Sequence, residues 1–102
     1  MYLYKLYPST LKYKKFDVYV ENPKTGNIKK VSFGDNRYED YTIHKDKERR
    51  ERYRNRHRSD KIKDITSAGA WSWYVLWGDS SNINTALAKM KRKFKVRSKY
   101  FD

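Results

Sequence analysis

The sequence contains no cysteine, which excludes disulfide bonds, thiolate metal sites and thiol nucleophiles. It has only 4 glycines and 2 prolines, and no glycine-rich phosphate loop or low-complexity linker is present. The longest uncharged apolar stretch, residues 65–78, is shorter than the roughly 20 residues that cross a bilayer. Residues 1–14 show no sustained apolar run of the kind found in signal peptides. We therefore expect a soluble protein that is made and used inside cells.

Acidic residues are scarce beside basic ones, with 12 Asp and Glu against 25 Lys and Arg, so the net charge is +13. An excess of this size indicates an acidic partner, which could be nucleic acid, an anionic membrane surface or an acidic protein face. Aromatic residues make up 17% of the chain, and disordered segments are poor in aromatics. The composition favours one small, folded, basic domain.

A β-hairpin is predicted from two β-prone segments, residues 16–20 and 28–33, which flank a Pro/Gly/Asn-rich turn. Three helices are predicted after it. The first runs over about 46–58 with Asp46 as its N-cap. The second covers 68–77 after a Thr66 or Ser67 cap and ends at Gly78. The third follows a Ser80 or Ser81 cap and has an apolar stripe on one side. The predicted fold class is α+β, an N-terminal β-hairpin followed by about three α-helices.

The ends of the chain differ from its middle in composition. Residues 1–14 are predicted to be a basic, tyrosine-rich arm that becomes ordered only against a partner. Residues 15–94 are predicted to form the single α+β domain, and residues 95–102 a basic C-terminal tail. Trp71, Trp73 and Trp77 are predicted to be core residues of the second helix rather than stacking surfaces for bases.

The first helix carries the strongest functional signal, because it holds six arginines and almost no apolar residue. On a helix Arg50, Arg54 and Arg58 form a first basic ridge, and Arg49, Arg52 and Arg56 form a second ridge beside it. Tyr53 and His57 are predicted to stack at i, i+4 on the same helix, and a second basic cluster follows at the C-terminal end. Spaced cations of this kind can follow a polyphosphate backbone, although a solvated charged surface would have the same pattern. The residues predicted to bind an acidic partner or nucleic acid are Lys45, Lys47, Arg49, Arg50, Arg52, Tyr53, Arg54, Arg56, His57, Arg58, Lys91, Arg92, Lys93, Lys95 and Arg97.

A metal or general-base site could be drawn from His44 and His57 together with Asp40 and Asp46. The two histidines lie 13 positions apart, and their spacing does not place ligands on one helix face. No nucleophile motif or catalytic acidic pair is apparent. We therefore predict no catalytic residue, no metal, no cofactor and no small-molecule substrate, and we expect that the protein is not an enzyme.

One set of segments and single positions is familiar as a pattern. It comprises DVYV at 17–20, NPKTG at 22–26, KKVSFG at 29–34, YEDYTIHKD at 38–46, TSAGAWS at 66–72, and Glu48, Arg49, Tyr53, Arg56, His57 and Trp77. In this pattern most of the chain, residues 13–94, resembles an uncharacterised family of small basic proteins encoded by large DNA viruses of eukaryotes and by some tailed phages. The resemblance implies a viral origin and a location in or around the virion, with synthesis in the host cytoplasm or nucleus. It implies no catalytic residue.

The leading functional hypothesis from the sequence is a non-enzymatic virion component, a minor capsid or capsid-associated protein. Its partners would be other virion or capsid proteins, an internal membrane surface, or the packaged DNA or RNA. The alternative is a sequence-tolerant nucleic-acid-binding protein that acts on viral DNA or RNA without strong sequence preference. Both hypotheses require the same positive charge, so the sequence does not separate them.

Overall fold

Four strands form one sheet in the order β3-β2-β1-β4 in the computed structural model, which describes residues 2–98. The strands are β1 (Tyr2–Pro8), β2 (Lys14–Glu21), β3 (Ile28–Asp35) and β4 (Val96–Ser98). β2 pairs antiparallel with both β1 and β3, whereas β4 pairs in parallel with β1. The predicted hairpin is confirmed as β2 and β3, and the α+β class is confirmed.

Strand β1 replaces most of the arm that was predicted over residues 1–14. Tyr4 is buried in the core, and the centroid of its ring lies 5.5 Å from that of Trp71. Tyr7 lies on the opposite face of the sheet and contacts Tyr19. Tyrosines on both faces hide the alternation that would mark a strand. β1 is held by pairing with β2, which follows it after a turn, and with β4, which lies far away in the sequence. The local sequence pattern therefore did not predict this strand.

The helices are α1 (Tyr41–His44), α2 (Lys47–Arg56), α3 (Ala68–Trp71), which continues into a π-helical segment (Ser72–Leu76), and α4 (Ile83–Phe94). Asp46 caps α2 and Ser67 caps α3, as predicted. α4 is capped by Asn82, whose side chain accepts from the Thr85 N–H, while Ser80 accepts from the Asn82 N–H in the preceding turn. The Ser80 or Ser81 cap was therefore wrong. No helix within residues 2–98 is long and apolar enough to span a membrane.

The core lies between one face of the sheet and the helices α3 and α4. Trp71 is fully buried, with its ring 6.1 Å from that of Phe33 and its indole N–H donating to the Ile65 carbonyl at 2.8 Å. Trp73 is also buried, as predicted, whereas Trp77 is half-buried. Burying these large rings supplies much of the hydrophobic stabilisation of so small a domain.

The C-terminal segment contributes an edge strand to the sheet. Val96 of β4 is buried beside Tyr2 of β1, so the tail that was predicted from residue 95 starts inside the domain. The remaining predicted tail, residues 99–102, lies outside the described residues. Because β1 and β4 are neighbours, the two ends of the described chain meet in the sheet.

Candidate anion-binding cleft

Helix α2 has no buried residue and therefore no apolar side chains that pack it into the core. Partly exposed aromatic and polar side chains attach it to the domain instead. Tyr53 is the main attachment. Its ring lies 4.3 Å from that of Trp77 with an angle of 7° between the planes, and its hydroxyl is 2.9 Å from Ser72 Oγ. This contact fixes which side of α2 faces the domain and which side faces outward.

Two arginines of the first predicted ridge turn toward the domain. Arg50 donates to the Gly78 carbonyl at 3.4 Å and its guanidinium lies 4.9 Å from the Tyr41 ring. Arg54 donates to the Trp77 carbonyl at 3.3 Å and lies 4.5 Å from the Trp73 ring. A guanidinium over an aromatic face with a carbonyl acceptor is a stabilising contact. These two arginines therefore help to hold α2 against the domain.

The second predicted ridge lines a cleft of about 600 Å³. The cleft lies between α2, the N-terminal end of β2 and the C-terminal end of β3. Arg49, Arg52 and Arg56 line it from the helix, and Lys14 and Lys15 line it from strand β2. The half-buried Tyr53 and Trp77 and the fully buried Leu76 contribute apolar surface to the same cleft. The cleft therefore combines cations with aromatic rings, a combination typical of sites for nucleic acid and other polyanions.

Three carboxylates also line the cleft, and each has a cationic partner. Asp40 is paired with Lys15, with side-chain exposures of 3% and 12%. Asp35 accepts two hydrogen bonds from the guanidinium of Arg37, which lower the pKa of Asp35 to about 2. Glu39 lies 3.6 Å from Arg49. The acidic groups are thus already neutralised by local ion pairs.

The other three cations of the cleft lack such partners. Within residues 2–98, Lys14, Arg52 and Arg56 have no carboxylate within the 4.0 Å of an ion pair. Asp35 and Asp46 interact with Lys14 and Arg52 only at longer range. Positive charges that converge without a carboxylate in direct contact raise the local potential and attract anions. These three side chains are the part of the cleft best placed to contact an acidic partner.

A column of three aromatic rings runs along the cleft. Tyr53 lies between Trp77 on one face and His57 on the other, with ring centroids 4.3 Å and 4.2 Å apart. His57 Nδ1 is 2.9 Å from Asp60 Oδ2, which fixes the orientation of the imidazole. The sequence predicted the Tyr53–His57 contact from its i, i+4 spacing, whereas the contribution of Trp77 depends on the tertiary fold.

One sequence family matches this chain, over residues 4–57, which is more than half of its length. It is described as a family of unknown function, DUF5754. The chain belongs to this family. The match runs from β1 to just beyond α2 and so includes all five cations of the cleft, while Ser72, Leu76 and Trp77 lie outside it. No curated protein and no solved structure matches the chain.

His44 connects α1 to α2 in this family member. Its Nδ1 accepts a hydrogen bond from the Asp46 N–H at 2.8 Å, which places the proton of the neutral ring on Nε2. Nε2 is buried and has no hydrogen-bond partner among residues 2–98, and the centroid of the ring lies 5.3 Å from that of Trp77. Burial, and next the charge of Arg49, lower the pKa of His44.

The residues considered for a metal site are dispersed. Asp40 caps α1 and pairs with Lys15, Asp46 caps α2, and His57 faces Asp60. In the described part of the chain, no three His, Cys, Asp or Glu side chains come together in a way that could hold a metal ion.

The remaining predicted binding residues lie away from the cleft. Lys45 and Lys47 are exposed where α1 joins α2. Arg58 follows the end of α2 and donates a hydrogen bond to the Asn55 side chain. The C-terminal cations lie on α4, on β4 and at Lys95 between them, and the Lys93 ammonium of α4 lies 5.7 Å from the centroid of the Tyr74 ring. The cations that the fold places outside the cleft in this way are Lys91, Arg92, Lys93, Lys95 and Arg97.

Sequence reasoning missed Lys14 and Lys15 as site residues. They stand at the start of a strand, more than 30 positions before Arg49, and nothing local connects them to α2. The one available signal is that two adjacent lysines precede a strand, which is common on protein surfaces.

Proposed function

We propose that this protein is a non-enzymatic structural protein of a virus particle, a minor capsid or capsid-associated component that binds acidic surfaces through the cationic cleft. The observation that carries the proposal is the convergence of Lys14, Arg52 and Arg56 on one cleft, where none of the three forms an ion pair within 4.0 Å of a carboxylate among residues 2–98. Binding of an acidic partner to such a site is favourable, because the partner supplies the missing counter-charge.

The viral setting is supported by the resemblance of residues 13–94 to small basic proteins of large DNA viruses and tailed phages. The partners we propose are other capsid proteins, an inner membrane surface or the packaged genome. A small folded body whose cleft cations and C-terminal cations lie apart fits a component that joins larger subunits, since each group can contact a different acidic surface.

The test is to purify particles of the virus that encodes the protein, digest them with nuclease and quantify the protein by mass spectrometry. The protein should remain with the particles, and the double variant Arg52→Ala/Arg56→Ala should be depleted. Lys61→Ala/Lys63→Ala is the matched control, because it removes the same charge from exposed positions outside the cleft. Absence from purified particles would overturn the proposal.

A second candidate function is sequence-tolerant binding to viral DNA or RNA. The aromatic column that shares the cleft with the cations favours it, because stacking on rings beside a charged groove is how proteins bind nucleic acid without reading sequence. Loss of the protein from particles on nuclease treatment alone would favour this candidate. A binding constant that does not change with salt would exclude it, since each phosphate contact contributes about 0.7–0.9 to the salt slope.

A further inference from the structure

We propose that the cleft binds single-stranded nucleic acid, with one base stacked on the outer face of His57 and the flanking phosphates held by Arg52, Arg56 and Lys14. This inference rests on the proposed function, because it requires the same cations to attract a polyanion. It goes further by naming the ligand class and the ring that would distinguish a single strand from a duplex.

The first argument is the arrangement of the aromatic column. Both faces of Tyr53 are covered, one by Trp77 and the other by His57, so Tyr53 itself has no free face for a base. His57 ends the column. Its side chain is 38% exposed, it lines the cleft, and it contacts no other aromatic ring among residues 2–98. A base stacked on His57 would extend a column that the protein has already ordered.

The second argument is that the imidazole is held in position before a base arrives. The Asp60 carboxylate fixes its orientation and the Tyr53 ring fixes its plane. A preordered ring loses little conformational freedom on binding, so more of the stacking free energy appears as affinity. Histidine belongs to the aromatic side chains on which unpaired bases stack in RNA-binding proteins.

The third argument is the placement of charge around this ring. Arg56 precedes His57 in the chain, Arg52 lies one helical turn earlier, and both line the same cleft with Lys14. Tyr38, which is 68% exposed, also lines the cleft and offers a second ring. Phosphates on the cations and a base on the ring would satisfy the cleft at the same time.

The shape of the site favours a single strand over a duplex. The cations line a concave cleft of about 600 Å³, a volume within the range of about 300–1,000 Å³ of pockets that hold small organic groups. In a duplex the bases are stacked inside the helix, and a base reaches such a pocket only after it is unpaired and turned outward. A single strand incurs no such cost.

The experiment measures the affinity of the full chain for a mixed-sequence single strand of about 20 nucleotides and for its duplex, at several salt concentrations. His57→Ala removes the stacking surface, and His57→Phe keeps a ring on Tyr53. We expect the single strand to bind more tightly than the duplex. His57→Ala should weaken single-strand binding about 5- to 30-fold, and His57→Phe, which keeps the ring but loses the contact with Asp60, should weaken it several-fold less than His57→Ala does. Thermal melts of both variants check that they are folded.

The outcomes separate this inference from the proposed function. If Arg52→Ala/Arg56→Ala weakens binding to strand and duplex alike while His57→Ala has no effect, the cationic cleft stands and the stacking inference is overturned. If neither strand nor duplex binds and the protein still remains with nuclease-treated particles, the inference is overturned and the structural proposal stands. If His57→Ala and His57→Phe weaken single-strand binding equally, stacking on this ring is also overturned.

Discussion

Tyr53 of α2 and Trp77 of the segment after the π-helical turn are stacked face to face, with 4.3 Å between the ring centroids. The two residues lie 24 positions apart, and this contact joins a highly charged surface helix to the hydrophobic core. Because α2 has no apolar stripe, we infer that its position depends on the contacts of Tyr53 with Trp77, Trp73 and Ser72 and on the arginines beside it.

The first prediction concerns this contact. Tyr53→Ala removes the stacking with Trp77 and His57 and should lower the free energy of unfolding by about 2–3 kcal/mol. Tyr53→Phe keeps both stacked rings and loses only the hydrogen bond to Ser72, so its cost should be about 1 kcal/mol. Urea denaturation measures both values. Equal losses in the two variants would mean that the hydroxyl, and not the ring, attaches α2.

The second prediction separates the two arginine ridges of α2. Arg50→Ala/Arg54→Ala should destabilise the fold, because it removes two guanidiniums that contact aromatic rings and carbonyl groups of the domain. Arg52→Ala/Arg56→Ala removes the same charge and should change the free energy of unfolding by less than about 0.5 kcal/mol. Thermal melts of the two double variants measure the difference. A larger loss of stability from the second variant would contradict this division.

The third prediction concerns the ion pair between Lys15 and Asp40, which joins β2 to the start of α1. Asp40→Ala leaves the Lys15 ammonium buried without a partner and removes the cap of α1, so it should cost about 3–5 kcal/mol. Arg37→Met removes the partner of Asp35 in an exposed ion pair and should have hardly any effect on stability. Denaturant midpoints of the two variants test this, and similar values would contradict it.

The sequence predicted the elements that depend on local signals. Asp46 and Ser67 are N-caps with short-range partners, and the turn at residues 22–27 joins two alternating segments, so each could be recognised without knowledge of the fold. The roles of the individual arginines in α2 could not be predicted in this way. All its arginines look alike in the sequence, and only the position of Trp77 and the other domain residues decides which of them turn inward.

The cleft could not be predicted from the sequence either, because it also depends on contacts between distant parts of the chain. Lys14 and Lys15 lie near α2 because β2 pairs with β3 and because Lys15 forms an ion pair with Asp40, which is 25 positions later in the sequence. Contacts of that range follow from the packing of the whole domain, and no local propensity specifies them. The predicted basic helix was therefore only half of the candidate site.

The fourth prediction is a pH dependence that arises from His44. Burial lowers the pKa of His44 below its ordinary value of 6.5, so the unfolded chain binds a proton more readily than the folded one. The stabilisation from neutral His44 is complete above pH 6.5 and is lost as the pH falls through the lowered pKa. Protonation would also place a hydrogen on Nδ1, which now accepts from the Asp46 N–H.

The variant His44→Asn tests this dependence, because the asparagine carbonyl can accept the same hydrogen bond and does not titrate. Between pH 8 and pH 5, at about one-unit steps, the natural chain should lose stability that the variant keeps. The chain has one other histidine, His57, which is present in both proteins and so cancels in the comparison. Parallel stability curves would show that another group is responsible.

The last prediction tests whether the N-terminal segment is a strand or a flexible arm. Tyr4 is 8% exposed in β1 and contacts Trp71, whereas Tyr7 is 42% exposed on the opposite face of the same strand. Tyr4→Ala should therefore cost about 3 kcal/mol of stability and Tyr7→Ala less than about 1 kcal/mol. Both are tyrosine-to-alanine changes three positions apart, so each controls for the other. If neither change affected the denaturant midpoint, residues 2–8 would behave as an arm, and the pairing of β1 with β4 would have to be abandoned as well.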